Sequence, residues 1–324
     1  MIWMRYWNMI NKEKSFASAV IYVHNAENRI EGFLKTIINV MEENFENSEI
    51  ICVNDSSTDD SLKKIKQTGS LAAGTTVSVV NMSYFHGLEL AMNAGSDLAI
   101  GDYVFEFDYA FLDYEPSLIM DVYRKALEGF DIVSASANKK ERFSSRMFYW
   151  LFNKYSMSKY KMTTESFRIL SRRALNRTDS MNKTIPYRKA VYSDSGLKTF
   201  NLRYDNKTCP ERKTDKLERA YRTKLAADSL LLFTQIGYSF AKFMTFLMMF
   251  ISFFMIVYSL LVFFSASPVE GWTTTILFLS VAFLGMFGIL TVIIKYLQLI
   301  VELVFKRKKY SFESVEKITG QVDA

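Results

Sequence analysis

The sequence predicts an α/β fold over residues 1–215: a mainly parallel sheet with helices on both faces, followed by an amphipathic helix and two membrane-crossing helices. Three observations carry that expectation. Short apolar, β-branched runs alternate with helix-period segments through the first third of the chain. Each run ends in polar or turn-forming residues. Two stretches near the C-terminus, each longer than 20 residues, contain no charge.

The first strand is read at Ser18–Asn25, an apolar run ending in His24 and Asn25. A helix follows, with Ile30, Phe33, Leu34, Ile37 and Ile38 on one face. Glu49–Val53 reads as the second strand and runs into the polar cluster Asn54-Asp55-Ser56-Ser57-Thr58. Ser61–Gln67 resumes as a helix, with Ser57 or Thr58 among its candidate caps. A third strand (76–82), a helix from Leu88 and a fourth strand ending at Asp108 complete the series. Strands buried on both faces belong to parallel sheets, whose ligands bind beyond the carboxyl ends of the strands. His24, Asn25, Asn54, Asp55 and Asp108 all fall at such ends.

Composition narrows the chemistry. Forty Lys and Arg against thirty-four Asp and Glu give a net charge of +6. Four prolines and thirteen glycines argue against low-complexity linkers. Cys52 and Cys209 lack metal-ligand spacing and cannot build a disulfide framework. With only His24 and His86 beside them, a zinc site is excluded. The basic residues gather around the apolar stretches, which favours a membrane surface over nucleic acid as partner.

The uncharged stretches are Phe243–Phe264 and Trp272–Ile294. Two buried core helices are the alternative reading, but helices in a soluble core rarely lack a polar stripe for six turns. Arg219, Arg222, Lys224 and Lys242 precede the first stretch, and Lys306, Arg307, Lys308 and Lys309 follow the second. The connection between them carries no Lys or Arg, so the charge rule puts both termini in the cytoplasm. Leu217, Tyr221, Leu225 and Leu232 fall near helical spacing with basic residues between them, as in a helix lying at the interface. The expected segments are 1–215, 216–242 for the juxtamembrane helix, 243–305 for the hairpin, and 306–324 for a basic tail.

Several of these segments carry a resemblance. VIYVHNAENRI and VNDSSTDDS resemble the opening strand and the V-D-D-G-S-T-D turn of family-2 glycosyltransferases. HGLELAMNAGSDLAIGDYVFEFD resembles a longer segment of that family, and ESFRILSRRAL resembles the D-F-R-L-x-x-R-R-V stretch of its polyprenyl-phosphate branch, which includes the dolichol-phosphate mannose synthases. The two-span C-terminus is similar to the bacterial members. The resemblance implies a GT-A-like (Rossmann-like) fold and transfer of a sugar, with inversion, from a nucleotide sugar to an undecaprenyl-type phosphate. It places that chemistry at the cytoplasmic face of the inner membrane, for cell-envelope glycan modification, and is compatible with a homo-oligomer assembled through the spans.

Site residues follow from the same resemblance. Val23, Asn25, Glu27, Asn54, Asp55, Ser83 and Gly87 match the nucleotide-sugar contacts. Asp108 matches the first aspartate of the D-x-D motif, whose Mg²⁺ or Mn²⁺ neutralises the diphosphate. The second aspartate is replaced by Ala110, which leaves Asp113 as the expected partner ligand, with Glu115 beside it. Arg142 and Arg146 match arginines near the phosphates, while Arg168, Arg212 and Lys216 are the expected lipid-phosphate cations. The motif also departs at Tyr22, Asn54, Ser56 and Ser166. A catalytically silent or donor-switched relative, serving as membrane scaffold or regulator, is therefore the alternative function.

Overall fold

In the computed structural model, residues 12–138, 143–155, 160–181, 187–205, 216–233 and 311–319 are described, with separate positions between 240 and 300. The chain divides into two units. One comprises Met1–Trp150, Ser158–Leu225 and Arg307–Ala324; the other comprises Leu151–Met157 and Ala226–Lys306.

The first unit is built on a sheet whose strands alternate with helices. In chain order these are β1 (Ala17–Val23), α1 (Glu27–Asn44), β2 (Ser48–Asn54), α2 (Ser61–Gly69), β3 (Thr76–Met82), α3 (Leu88–Leu98) and β4 (Tyr103–Phe107). There follow α4 (Ser117–Leu127), β5 (Ile132–Ala137), α5 (Phe143–Tyr155), β6 (Phe167–Ser171), α6 (Arg172–Met181), α7 (Arg188–Asp194), β7 (Thr199–Tyr204), α8 (Lys216–Phe233) and β8 (Phe312–Lys317). Helices α5 and α8 each cross from one unit into the other.

The strands lie in the order β7-β5-β6-β4-β1-β2-β3-β8. Pairs β4–β1, β1–β2, β2–β3 and β5–β7 are parallel, whereas β6 runs antiparallel to both β4 and β5. β8 pairs antiparallel with β3 and so closes that edge of the sheet. The segment expected as a basic tail therefore supplies a strand to this unit.

Every residue of β1 is buried, as a central strand covered on both faces requires. Ala19, Ile21 and Val23 face a core formed with α1, α2 and α4. Val20 and Tyr22 face a second core formed with α3, α6 and α7. The five apolar residues anticipated on the first helical face are all buried in α1. Gly95 lets α3 approach the sheet: a Cβ there would meet Val20 Cγ1 at 2.4 Å and Val53 Cγ2 at 2.6 Å. Register aligns the strand ends, since Val23 sits beside Asn54, Asn54 beside Asn81, and Ile21 beside Phe107.

In the second unit, described positions from Phe243 to Ile300 are helical. A Cβ on Gly285 would lie 2.3 Å from Met248 Cε, so the two apolar stretches touch there. Among the described residues no helix is long and apolar enough to cross a membrane. Much of both expected spans, Phe243–Phe264 and Trp272–Ile294, lies outside the described residues.

Candidate active site

Past the ends of β1 and β2 the backbone turns sharply. Asn25 and Ser56 both have positive φ, at 46° and 53°, a conformation that short polar side chains tolerate by bonding locally. Asn25 Oδ1 accepts from the Thr58 N–H at 2.9 Å, and the Asn25 N–H donates to Ser57 Oγ at 3.2 Å. Glu27 extends the tie, its N–H donating to Asp59 Oδ2 at 3.0 Å and its Oε2 accepting from the Asp60 N–H at 3.2 Å. Asn54 Nδ2 donates to Asn81 Oδ1 at 3.0 Å. The Val23 carbonyl accepts from the Asp55 N–H at 2.8 Å, while its side chain is fully buried.

Asp55 is the centre of this loop system. Its Oδ1 accepts from the His86 N–H at 2.8 Å, and its Oδ2 accepts from the Gly87 N–H at 2.8 Å and the Tyr22 hydroxyl at 3.1 Å. Burial pushes its carboxyl up, opposed by the two backbone N–H groups. The resemblance makes Asp55 a nucleotide-sugar contact. In the structure it is fully buried and first of all fixes the loop that leads into α3.

Gly87 begins α3 with φ of 83°. The ring of Tyr221, from α8, fills the space where a side chain at Gly87 would stand. Tyr221 also meets Phe85 edge-on at 6.0 Å, and Glu218, one turn earlier, is buried. The start of α8 therefore packs on the strand-end loops. Leu217, from the same expected apolar stripe, is exposed instead. Ser83 is exposed and bonds Ser311 just before β8, with Oγ–Oγ at 3.0 Å.

At the end of β4 the structure departs from expectation. Asp108 was expected to hold a cation, but Arg168 Nη2 donates to its Oδ2 at 2.6 Å and Arg188 Nη2 to its Oδ1 at 2.7 Å. Arg168 lies opposite Glu106 in the β4–β6 register and donates to it at 2.7 Å. Arg188 pairs with Glu106 at 2.8 Å and donates from Nε to Glu89 Oε2 at 3.0 Å. Glu165 takes Arg168 Nε at 3.0 Å, and Lys189 stands 3.9 Å from Glu165. The Tyr192 hydroxyl and Ser96 Oγ complete the shell of Glu106. Burial acts to raise the Asp108 carboxyl, but Arg168 and Arg188 overcome it and hold the group well below the carboxylate range.

These contacts bear on two of the expected roles. Arg168, expected at a lipid phosphate, is fully buried and paired with Glu106, Asp108 and Glu165. Asp113, the expected partner ligand, is engaged by Tyr204. Its Oδ1 accepts from the Tyr204 hydroxyl at 2.8 Å, and that hydroxyl also meets Ser166 Oγ. Among the described residues no three His, Cys, Asp or Glu side chains converge to hold a metal ion. The donor set does not fit Mg²⁺ or Mn²⁺. Arg146 is exposed, its guanidinium 5.8 Å from the Phe143 ring. Arg142, Arg212 and the side chain of Lys216 lie outside the described residues.

The sequence reading missed Glu89, Glu106, Arg188 and Tyr192. One signal was available: Glu106 interrupts the apolar run Tyr103–Phe107, and a carboxylate inside a central strand requires a buried cationic partner.

Comparison with known proteins gives the fold a context. Residues 18–193 match the family model described as "Glycosyl transferase family 2". An uncharacterized glycosyltransferase of Synechocystis sp., sll0501, is 29% identical over 194 residues, covering 58% of this chain and 60% of the relative. A prophage bactoprenol glucosyl transferase homolog of Escherichia coli is 30% identical over 198 residues, covering 58% and 62%. The chain thus spans about three fifths of each of these relatives. Among solved structures, the mannosyltransferase PcManGT of Pyrobaculum calidifontis, crystallised with GDP-Man and Mn²⁺, superposes with TM-score 0.50 at 14% identity. That match covers 68% of this chain and 63% of the mannosyltransferase, and it speaks for the fold alone.

Proposed function

Because this chain belongs to glycosyl transferase family 2, we propose that it transfers a sugar from a nucleotide sugar to a polyprenyl phosphate at the cytoplasmic face of a bacterial inner membrane. The observation that carries this reading is the convergence of Asn25, Asn54, Asp55 and Gly87 at the strand ends, with Tyr221 of α8 packed against Gly87. The name of the Escherichia coli relative supports a bactoprenol-type acceptor.

The chemistry asks little of a general base. A lipid phosphate is an anionic nucleophile near neutral pH, so its oxygen attacks the anomeric carbon without prior proton removal. The bond from that carbon to the donor diphosphate breaks, and the nucleoside diphosphate leaves with the electron pair. The protein's task is alignment of the two substrates and placement of cations beside both phosphates. Arg146, exposed on α5, remains a candidate for the acceptor, together with Arg142, Arg212 and Lys216.

Membrane insertion belongs to the same proposal. Leu279, Phe283, Met286, Leu290, Ile293, Leu297 and Ile300 repeat at alternating steps of four and three, and each is 46–55% exposed. A helix face of that kind is costly in water and at no cost in hydrocarbon. Resistance of the full chain to carbonate extraction, with both termini open to protease only from the cytoplasmic side, is the expected outcome.

Activity is tested with purified full-length protein, undecaprenyl phosphate and a panel of UDP- and GDP-sugars. Label extracted into organic solvent and released by mild acid supports a phosphate-linked sugar. Label stable to mild acid would point to another lipid acceptor. The second reading, a catalytically silent relative, is favoured by the closure of Asp108 with two arginines. Nucleotide binding without turnover of any donor would select it.

A further inference from the structure

We propose that the guanidinium groups of Arg168 and Arg188 occupy at Asp108 the place of a divalent cation, so that Asp108 is not a metal ligand and donor binding draws on no ion there. The inference rests on the glycosyl-transfer reading for the purpose of the site, but not for its geometry.

Each oxygen of Asp108 receives a different arginine, at 2.6 and 2.7 Å. Both arginines also pair with Glu106, at 2.7 and 2.8 Å, so the two guanidinium groups bridge two carboxylates as a divalent ion would. Together they carry the formal charge of such an ion, but on side chains that cannot dissociate. An incoming cation would have to eject a guanidinium from its carboxylates into a fully buried site, leaving a charge without a partner. The residue two positions on is Ala110, itself buried, and the next carboxylate, Asp113, accepts from Tyr204. Among the described residues no group of three or more His, Cys, Asp or Glu side chains is arranged to hold a metal ion.

The cluster also carries more negative than positive groups. Glu89, Glu106, Asp108 and Glu165 face Arg168, Arg188 and Lys189, four carboxylates against three cations. It offers no net attraction to a diphosphate, which must therefore meet its cations outside the cluster. Arg222 is exposed on α8.

The test titrates Mn²⁺ into the detergent-solubilised full chain, followed by electron paramagnetic resonance. Affinities for UDP and GDP are measured in parallel in EDTA and in excess Mn²⁺. The expected result is no bound Mn²⁺ that depends on Asp108 and nucleotide affinities equal within about threefold. A bound Mn²⁺ lost in Asp108→Asn, or a tightening of about tenfold or more that Asp108→Asn abolishes, overturns the proposal. Mn²⁺ binding that survives Asp108→Asn places the ion elsewhere and leaves the assignment standing. Should Asp108→Asn fail to fold, the anomalous signal of Mn²⁺-soaked crystals decides, and a peak beside Asp108 overturns it. If neither UDP nor GDP binds under any condition, the glycosyl-transfer reading fails while the Mn²⁺ titration still judges this one.

Discussion

A Cβ on Gly87 would lie 2.3 Å from the ring of Tyr221, so a side chain at one position and the ring at the other compete for the same space. The relationship joins two distant parts of the chain. Gly87 is held by Asp55 through its N–H, and Tyr221 arrives from α8, more than a hundred residues later. Whatever positions α8 therefore acts on the loop that opens α3.

Gly87→Ala should lower stability by about 1–3 kcal/mol from the positive φ alone, with a further loss from the clash. Tyr221→Ala relieves the clash but not the dihedral. The double variant should thus be less damaged than the sum of the two single variants. Thermal melts and UDP or GDP affinity on all four proteins measure the coupling. Strict additivity would show that the ring and the glycine do not share that space.

Arg168→Met should cost about 3–5 kcal/mol, because it leaves Arg188 alone to face the buried carboxylates Glu106 and Asp108. Arg173 offers the control. It pairs with Asp131 but its side chain is 70% exposed, so Arg173→Ala should cost far less than Arg168→Met. Urea unfolding of both variants makes the comparison. Equal effects would contradict the burial of the Arg168 cluster.

What the sequence disclosed and what it hid follow from the range of the interactions. Strands β1 to β4 were legible because each is an apolar run closed by polar residues, and α1 because its apolar face repeats with helical period. Strand β5, Ile132–Ala137, is rich in Ser and Ala and carries little strand signal. Strand β8 is largely exposed at an edge, so its charges read as a solvated tail. The convergence of Asn25, Asn54 and Asp55 was readable from strand ends. The pairing of Arg168 was hidden because its partners Glu106 and Asp108 lie about sixty residues away, and no local pattern announces it.

Asp108 also sets an acid limit. Its folded pKa is depressed, so its contribution to stability is full above the unfolded carboxylate range near ~4 and is lost as pH falls below it. Between about pH 5 and pH 3 the melting temperature of the wild type should fall more steeply than that of Asp108→Asn, which has no proton to take up there. Parallel melting curves would show that Asp108 is not held ionised by Arg168 and Arg188. At neutral pH the variant should already be the less stable, since a neutral amide replaces a paired carboxylate.

The docking of β8 separates buried from exposed contributions. Ile318, just beyond the strand, is buried, and it lies 3.3 Å from where a Cβ on Gly69 would stand. Its N–H donates to the Val77 carbonyl at 2.9 Å. Ile318→Ala removes a packed side chain between α2 and β3 and should cost about 2–4 kcal/mol. Glu316 pairs with Lys66 on the surface, both side chains at least 40% exposed, so Lys66→Ala should cost about 1 kcal/mol or less. The larger loss should also raise hydrogen exchange along β3, whose edge is sheltered only while β8 is in place. If Ile318→Ala melts like the wild type and β3 stays protected, the returning strand contributes nothing to the sheet and the Ser311–His86 contact, 3.2 Å from N–H to Nε2, has no structural weight behind it.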